Sequence, residues 1–319
     1  MAQPSVNDVH VDAMLTNLSV AYIQSQDVFL ASKVFPLVPV EKQSDKYYVY
    51  TKNDWFRDEA QRRADSTPSA GSGYSLGTDS YACDVYAFHK DIGDRVRKNA
   101  DSQINLDADA VRFITGRILM RQETQWVTDF FNVAAWGTNH KHGAVDFNKW
   151  SDYLDSDPVE DIADAKELIL KATGYEPNTA VFGYKVMRKL RNHPDIRARY
   201  QYTTPGNITP AMIAAVLELD RVFVSKAIKA TNTEGEAEAY AFTHGDHAWL
   251  GYVNPSPGLL VPSAGYTFTW AGVSDGLGSS IGISTIRMPE IKADRLEAES
   301  AWDNKVVASD LGFFFENAV

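Results

Sequence analysis

The sequence predicts an α+β protein in which one long helix connects an N-terminal β-hairpin to a set of C-terminal strands. Apolar residues recur at helical spacing over residues 106–133, which predicts the long helix. Apolar and polar residues alternate in the C-terminal region, which predicts strands with one buried face. Between these parts, strand and helix patterns follow one another over residues 176–261 and predict a small α/β unit.

Composition limits the classes of function that need consideration. The chain has 319 residues, 44% of them hydrophobic, which is enough for two subdomains with a sizeable core. The net charge of −11 argues against a protein whose main task is an electrostatic grip on nucleic acid. Cys83 is the single cysteine, so an internal disulfide and a cysteine-rich metal site are excluded. No apolar run has the length of a membrane span, and no Lys or Arg precedes Lys33, unlike a signal peptide. We therefore expect a soluble protein made in a reducing cytoplasm.

The N-terminal region predicts a short amphipathic segment followed by an extended arm. Residues 12–23 place four apolar side chains on one helical face: Met14, Leu15, Leu18 and Tyr22. Pro36 and Pro39 then forbid helix over residues 34–40. An extended apolar arm must lie along something, either its own subunit or a neighbour.

Residues 46–94 predict a long hairpin. Its strands are Lys46–Thr51 and Ser80–His89, and they flank a polar loop from Arg57 to Asp79. Two strands and a polar loop cannot build a core, and long loops in compact domains are usually functional or disordered. We interpret the hairpin as an arm that becomes ordered by lying on another molecule, which favours an assembly protein over a free-standing enzyme.

Two helices have clear signals in the sequence. The long helix runs from about Leu106 to Val133 and would span roughly 40 Å. The second has Asp157 as its N-cap, Pro158 at the first helical position and Gly174 at its end. Its predicted buried face consists of Ile162, Ala165, Leu168, Ile169 and Ala172.

The rest of the chain predicts a compact α/β unit and a strand-rich end. The α/β unit contains the strand Thr179–Phe182, the helix Tyr184–Asn192, a helix that starts after Thr209, and the strand Arg221–Ala227. The C-terminal strands lie around residues 266–270, 295–302 and 311–315. We expect these strands to pack on the long helix and form a discontinuous α+β subdomain.

Residues with chemical potential form no recognisable active site. The histidine pairs at 140/142 and 244/247 lack the spacing of a helical metal site, and we expect both to lie in solvated loops. Cys83 has no partner base in its pattern, and a lone strand cysteine is usually a packing residue. The glycine-rich stretches 71–73 and 276–280 lack the strand-to-helix context of a phosphate loop. We predict no catalytic, cofactor-binding or metal-binding residues.

The order of these elements resembles the major capsid proteins of tailed bacteriophages, which share the Hong Kong 97-type fold with encapsulins. The matching features are the arm 35–40, the hairpin 46–94, the long helix with Arg121-Gln122-Glu123, the strand–helix unit 181–194 and the closing strands 295–319. The resemblance implies an N-terminal arm (1–45), an extended loop called the E-loop (46–94), a peripheral domain with the spine helix (95–175 and 262–319; helix about 106–133) and an axial domain (176–261).

The resemblance also implies a function and a set of partners. The chain would be a shell subunit that forms hexamers and pentamers around double-stranded DNA without sequence specificity. A separate scaffolding protein, a portal protein and a decoration protein are the expected protein partners, with no membrane and no cofactor. The location would be the virion capsid, assembled in the host cytoplasm. The expected intersubunit contacts are Trp55, Arg57, Arg62, Arg63, Phe35 and Leu37.

One family member cross-links a hairpin lysine to a peripheral-domain asparagine. Lys46 and Lys52 lie near the base of the hairpin, and Asn304 and Asn317 are only nominal partners, so we expect a non-covalent shell.

Two other functions stay open at this point. One is an encapsulin compartment that holds a cargo enzyme, and the other is a soluble hydrolase with an unrecognised site.

Overall fold

The computed structural model describes residues 24–100, 105–200, 208–258, 260–273 and 281–319. The predicted amphipathic segment 12–23 and the glycine-rich stretch 276–280 lie outside these ranges. In the described part of the chain the α-helices are α1 (Lys52–Trp55), α2 (Asp94–Asn99), α3 (Leu106–Phe130), α4 (Val133–Trp136), α5 (Pro158–Thr173), α6 (Tyr184–Asn192), α7 (Pro194–Tyr200) and α8 (Pro210–Val216). The strands are β1 (Leu37–Val40), β2 (Ser44–Tyr50), β3 (Leu76–Ala82), β4 (Asp84–Gly93), β5 (His140–His142), β6 (Thr179–Gly183), β7 (Arg221–Ser225), β8 (Ile228–Ala230), β9 (Tyr240–Phe242), β10 (Ala248–Gly251), β11 (Gly265–Trp270), β12 (Gly282–Met288), β13 (Ala293–Val306) and β14 (Gly312–Glu316).

Two five-stranded sheets organise the subunit. The first has the order β1–β11–β13–β12, and β4 also pairs with the long strand β13. The second has the order β5–β14–β10–β6–β7. Two further pairs, β2–β3 and β8–β9, stand outside these sheets as hairpins. The mixture of helices and two separate sheets is the predicted α+β class.

Helix α3 belongs to both cores. Its first half places Ala110, Ile114 and Ile118 against the first sheet, where they pack with apolar residues of β4 and β13. Its second half places Trp126 and Phe130 in the core of the second sheet. The predicted long helix is therefore confirmed, and it ends three residues before the predicted Val133.

Residues at its two ends determine where helix α5 begins and ends. The Asp157 carboxylate accepts hydrogen bonds from the backbone N–H groups of Val159 and Glu160, and Gly174 ends the helix in the left-handed conformation. Of the predicted buried face, Leu168 is 48% exposed and Ala172 is also exposed, because the helix buries a narrower stripe against the second sheet.

The predicted extended arm is extended only in part. The segment before Pro36 forms a turn with Leu30, Val34 and Phe35 buried, and regular strand begins at Leu37. From there β1 pairs in parallel with β11 of its own subunit. The arm thus lies along its own chain over these residues.

The second strand of the predicted hairpin is divided at Cys83. Residues 76–82 pair with β2, as predicted for a hairpin, whereas residues 84–93 leave the hairpin and pair with β13 of the first sheet. Cys83 is buried among Tyr81, Tyr266 and Phe268 at the point of transfer. We call the pair β2–β3 with its connection, residues 44–82, the ribbon.

The C-terminal strand β14 belongs to the second sheet. It pairs with β10 and β5, and α5 packs against β10 and β14. The three phenylalanines of β14 share one core with Trp126 and Phe130 of α3, so this strand packs on the long helix as expected. The all-apolar run of β14 fits a strand covered on both faces, which the middle of the second sheet provides.

We expect Phe35→Ala to lower the free energy of unfolding of the unassembled subunit by about 3–5 kcal/mol. The Phe35 ring is 1% exposed and lies 4.5 Å from the Phe130 ring and 5.2 Å from the Trp249 ring, so its removal leaves a cavity between helix and sheet. Urea unfolding followed by fluorescence measures the change. Phe56→Ala, at a ring that is 61% exposed, is the matched control and should cost less than about 1 kcal/mol. Equal losses in the two variants would contradict the assignment of Phe35 to the core.

Candidate intersubunit surface and buried polar junction

The two faces of the ribbon have different surroundings. Side chains on a strand point alternately to opposite faces, so Tyr47 and Tyr81 lie on one face and Tyr48 and Tyr50 on the other. The first face rests on the subunit itself, because the Tyr81 ring stacks 4.7 Å from Phe268 and the Tyr47 ring lies 5.6 Å from it. The second face has no such cover, and Tyr48 is 60% exposed.

The exposed face of the ribbon continues into an aromatic cluster at its outer end. The rings of Tyr50, Trp55 and Tyr74 lie 5.6–6.1 Å from one another, with Trp55 and Tyr74 more than half exposed. Leu76, paired with Tyr50 across the ribbon, is 50% exposed. We call Tyr48, Tyr50, Trp55, Tyr74 and Leu76 the ribbon patch. A contiguous exposed apolar patch of this kind is typical of a protein–protein contact.

The polar connection beyond the patch carries charges of both signs. Arg57 and Glu59 form an exposed ion pair at 3.6 Å, and the Arg63 Nε donates to the carbonyl of Thr67. Arg62 is exposed as well. At the start of the connection, Lys52 forms an ion pair with Asp310 of the same subunit. This contact ties the start of the connection to the subunit, while Arg57, Arg62 and Arg63 are exposed.

The predicted contact residues therefore fall into two groups. Trp55, Arg57, Arg62 and Arg63 are exposed on the ribbon, where another subunit can reach them. Phe35 is buried between α3 and the second sheet of its own subunit, so its prediction as an intersubunit contact is wrong. Leu37 is half-buried in β1, where it pairs with β11. The apolar pattern of the arm alone could not distinguish burial in its own subunit from burial in a neighbour.

Beneath this surface, a buried carboxylate fastens the arm to the spine helix. Glu123 of α3 is 0% exposed, and its Oε2 accepts hydrogen bonds from the backbone N–H groups of Leu30 and Ala31, both at 2.8 Å. Its Oε1 lies 3.7 Å from Nδ1 of His244. That nitrogen is within hydrogen-bonding distance of the Ser225 and Thr243 hydroxyls, at 2.6 and 3.0 Å. We call these residues the junction, because they connect the arm, the spine helix and the second sheet.

Burial controls the protonation of the junction. Desolvation raises the pKa of Glu123 to about 7, and the two backbone hydrogen bonds and Lys33 oppose that rise only in part. Desolvation lowers the pKa of His244 to about 3, so the imidazole is neutral near pH 7. His244 was predicted to lie in a solvated loop, which is wrong: it is 1% exposed and packs edge-on against Phe131. The short turn that contains it is covered by the spine helix.

A second buried histidine resembles part of a hydrolase triad. The Nε2 of His193 lies 3.0 Å from the Ser156 hydroxyl, and its Nδ1 lies 3.3 Å from a carboxylate oxygen of Asp195. The Ser156 hydroxyl, however, donates to the backbone carbonyl of Asp152, and both Ser156 and His193 are buried. A nucleophile must reach its substrate, so this arrangement is a structural contact.

Other candidate chemistry is also explained by packing. Cys83 is 1% exposed, and burial raises the pKa of its thiol to about 11, which disfavours the reactive thiolate. Among the described residues, no group of three His, Cys, Asp or Glu side chains could hold a metal ion. Within the same residues, no helix has the length and apolar character needed to cross a membrane.

Sequence comparison connects the chain to phage shell proteins. A family model described as phage major capsid protein E matches residues 89–242. The major capsid protein of Pseudomonas phage JBD67 is 28% identical over 317 residues, 97% of each chain. The major capsid protein of Burkholderia phage BcepMu is 26% identical over 267 residues, covering 82% of this chain and 84% of that protein.

Structural comparison gives the same fold. A phage-related protein from Bordetella bronchiseptica matches with a TM-score of 0.69 at 24% identity, over 97% of both chains. The capsid protein of cyanophage P-SCSP1u matches with a TM-score of 0.64 at 10% identity, over 99% of this chain and 95% of that one. The encapsulin of the SrpI complex from Synechococcus elongatus matches with a TM-score of 0.57 at 11% identity, over 99% and 96%. The fold is the predicted Hong Kong 97-like capsid fold.

The junction generates a prediction for the pH dependence of stability. The folded subunit holds the Glu123 proton more tightly than the unfolded chain, so this residue favours folding less as the pH rises from about 4.5 to about 7. Glu123→Gln keeps an oxygen for the two backbone N–H groups and removes the titration. We expect the difference in unfolding free energy, variant minus wild type, to increase by about 2 kcal/mol from pH 5 to pH 7.5.

Urea unfolding of both proteins at the two pH values measures this difference. The effect of His244, which opposes folding as the pH falls below about 6.5, is present in both proteins and cancels. A difference that stays constant, or decreases with pH, would show that Glu123 is ionised in the folded subunit throughout this range.

Proposed function

We propose that this chain, which is similar in sequence to the major capsid proteins of tailed phages, is a structural shell subunit. In this proposal it closes into an icosahedral container of hexamers and pentamers around double-stranded DNA. The observation that carries the proposal is the ribbon patch: an exposed aromatic surface on a two-stranded projection that its own subunit covers on the opposite face only. A second copy of the chain is the partner that a homo-oligomeric shell supplies at every such patch.

The mechanism is physical and needs no catalytic residue. Each patch is small, so one contact is modest, but every subunit both gives a ribbon and receives one. Contacts that form within an assembled ring are effectively intramolecular, and their combined strength far exceeds that of one pair. We therefore propose no enzymatic activity; the buried Ser156–His193 contact supports that proposal over a soluble hydrolase.

The charged connection of the ribbon supplies specificity. Arg57, Arg62 and Arg63 are exposed next to the patch, and guanidinium groups bind carboxylates in a fixed bidentate geometry. The net charge of −11 makes carboxylates abundant on a neighbouring copy. We propose that these arginines orient the ribbon on that neighbour.

The parts of the subunit take the roles that the family fold implies. We propose residues 1–45 as the N-terminal arm, 46–94 as the E-loop, 95–175 and 262–319 as the peripheral domain, and 176–261 as the axial domain. The second sheet crosses these bounds, because β14 and β5 pair within it beside β10 and β6. The axial and peripheral parts are therefore joined by hydrogen-bonded strands as well as by α3.

The proposed partners are a separate scaffolding protein, a portal protein, a decoration protein and packaged DNA, with assembly in the host cytoplasm. The net negative charge of the subunit supports weak, sequence-independent binding of DNA. A strongly cationic inner surface would instead bind the genome tightly. An encapsulin compartment is the alternative, since its fold is similar. Particle contents decide between them: DNA in one case, a cargo protein in the other.

Assembly should fail when the ribbon patch loses its apolar character. We expect the double variant Trp55→Ser/Tyr74→Ser to remain folded, because both residues are more than half exposed, and to form at least tenfold fewer particles than wild type. Negative-stain imaging and sedimentation measure particle yield, and circular dichroism checks folding. Leu154→Ser, at a residue that is 93% exposed outside the ribbon, is the control and should assemble normally. Normal particle yield from the double variant would count against the patch as an interface.

Replacement of charge in the ribbon connection tests its electrostatic contribution. We expect Arg62→Gln/Arg63→Gln to reduce the initial rate of assembly several-fold at low salt and to make that rate less dependent on salt. Light scattering at 50 and 300 mM salt measures both effects. Lys226→Gln/Lys229→Gln, a pair with the same charge change near β8, is the control. An unchanged salt dependence would show that these arginines stay solvated in the shell.

A further inference from the structure

Helices α6 and α7 present a positively charged surface. Their apolar side chains, Val186, Met187, Leu190 and Ile196, are buried in the core of the second sheet, which leaves the charged side chains on the outer side. The cationic residues between positions 185 and 199 are Lys185, Arg188, Lys189, Arg191, Arg197 and Arg199. All of them are exposed except Lys189, which is half-buried, and the same stretch contains a single carboxylate, Asp195. We call the six cationic residues the α6–α7 face.

Most of the α6–α7 face has no anionic partner within its own subunit. The Lys185 amine donates to the Asp246 carboxylate at 3.2 Å, and the Lys189 amine lies 5.3 Å from the centre of the Tyr153 ring. In the described part of the chain, the four arginines of the face form no ion pair. A cluster of unpaired cations on a protein with a net charge of −11 indicates a surface that binds an anionic partner.

The connection of the hairpin β8–β9, residues 231–239, has the opposite charge. It contains Glu234, Glu236 and Glu238 and no Lys or Arg, and all three glutamates are exposed. The Glu238 carboxylate accepts a hydrogen bond from the Tyr240 hydroxyl at 3.1 Å. Among the residues that the structure describes, none of the three carboxylates forms an ion pair with a cation. We call residues 231–239 the acidic tip.

The acidic tip is held in shape by its own hydrogen bonds. The Thr231 N–H donates to the Ala239 carbonyl at 2.9 Å, and the Ala239 N–H donates to the Asn232 side chain at 3.2 Å. Gly235 has a φ of +91°, which a residue without a Cβ adopts easily, so the chain can reverse direction there. The tip is therefore formed before it meets a partner, and little ordering is required for binding.

A second acidic stretch, at the start of α5, is already engaged in its own subunit. Asp157 caps the helix, and the Asp161 carboxylate accepts a hydrogen bond from the Trp150 indole at 2.8 Å. Asp164 forms an ion pair with Lys141 at 3.4 Å. The acidic tip is the better match for the α6–α7 face, because its carboxylates lie together and have no cationic partner.

We propose that the acidic tip of one subunit binds the α6–α7 face of the next subunit in a ring, an inference that rests on the proposed shell function. Because the tip and the face are different surfaces, the contact is heterologous, and its repetition around an axis closes a ring. A single exposed ion pair is weak, so the three carboxylates and the arginines act together, with guanidinium groups binding carboxylates in bidentate geometry. Nucleic acid, another anion that arginines bind, is the competing partner.

Disulfide trapping in assembled particles tests the contact. In a Cys83→Ala background, Ala237→Cys in the acidic tip is combined with Ala198→Cys on α7, and both alanines are exposed. We expect mild oxidation to give a ladder of cross-linked chains up to the size of the ring on non-reducing gels, because every subunit gives a tip and receives one. The control combines Ala237→Cys with Ala87→Cys, an exposed alanine on β4, and its yield of cross-linked chains should be at least fivefold lower.

The outcome separates this inference from the proposed function. Particles in which the two cysteine pairs cross-link equally overturn the inference and leave the shell in place. A wild-type protein that forms no particles overturns the proposed shell and this inference with it.

Charge reversal gives an independent test. We expect Glu234→Lys/Glu236→Lys and, separately, Arg197→Glu/Arg199→Glu to lower particle yield at least fivefold at low salt, because each places like charges opposite one another. The combination of all four substitutions should restore at least half of the wild-type yield, because it recreates opposite charges. Negative-stain imaging measures yield, and circular dichroism checks that each variant is folded. Absence of this rescue overturns the proposal.

A matched control and a measurement of particle contents complete the charge test. Glu167→Lys/Glu290→Lys makes the same change in net charge at exposed residues outside both surfaces and should assemble with wild-type yield. Ultraviolet absorbance measures the nucleic acid in the particles. If the arginine variant assembles normally but its particles lose nucleic acid, the α6–α7 face binds DNA, and the proposed contact between subunits is overturned.

Discussion

The sharing of one helix between two cores is the constraint on which the rest of the subunit depends. The first half of α3 is covered by the first sheet and its second half by the second sheet, so neither sheet can move without exposing part of the helix. The arm is bound at the same place, since Phe35 packs on Trp126 and Phe130 and Glu123 holds the backbone of Leu30. The direction of β1, and through β11 the position of the ribbon base, follows from that attachment. The proposed shell would need this rigidity, because small errors in ribbon direction would be multiplied around a closed ring.

Glu123 determines where the arm lies on α3, at some cost to the stability of the subunit. Two good hydrogen bonds do not offset the desolvation of an ionised carboxylate completely, which is why its pKa rises to about 7. An apolar residue would cost less but would leave the N–H groups of Leu30 and Ala31 without an acceptor. The acid therefore selects one register of the arm on the helix. His244 lies 3.7 Å from Glu123 and is neutral, so the two buried side chains do not form an ion pair.

Local signals were readable in the sequence, whereas pairings between distant residues were not. The cap of α5 is contained in Asp157, Pro158 and the residues directly after them, and the limits of α6 follow from a turn and a proline, so both helices were predicted closely. Strand β14 has the same apolar run whichever sheet it joins, and its partner β10 lies some sixty residues away. Cys83 offered no sign that the hairpin divides there, because β-favouring residues continue on both sides. In the candidate site, exposure of Trp55 followed from the polar connection around it, but burial of Phe35 and His244 required the packed spine helix.

The two faces of the ribbon differ in their surroundings: the subunit covers the inner face and leaves the apolar outer face exposed. Strand alternation gives its two faces separate tasks: Tyr47 and Tyr81 are covered by Phe268 of the same chain, and Tyr48 and Tyr50 are left to the solvent side. Loss of an inner residue removes packing from the monomer, whereas loss of an outer residue leaves that packing intact. In the proposed shell, folding and assembly would therefore depend on opposite faces of the same two strands. The inner face is attached to the first sheet, which packs on α3, so the subunit itself orients the outer face. In the proposed shell, less ordering would therefore be required when a partner binds.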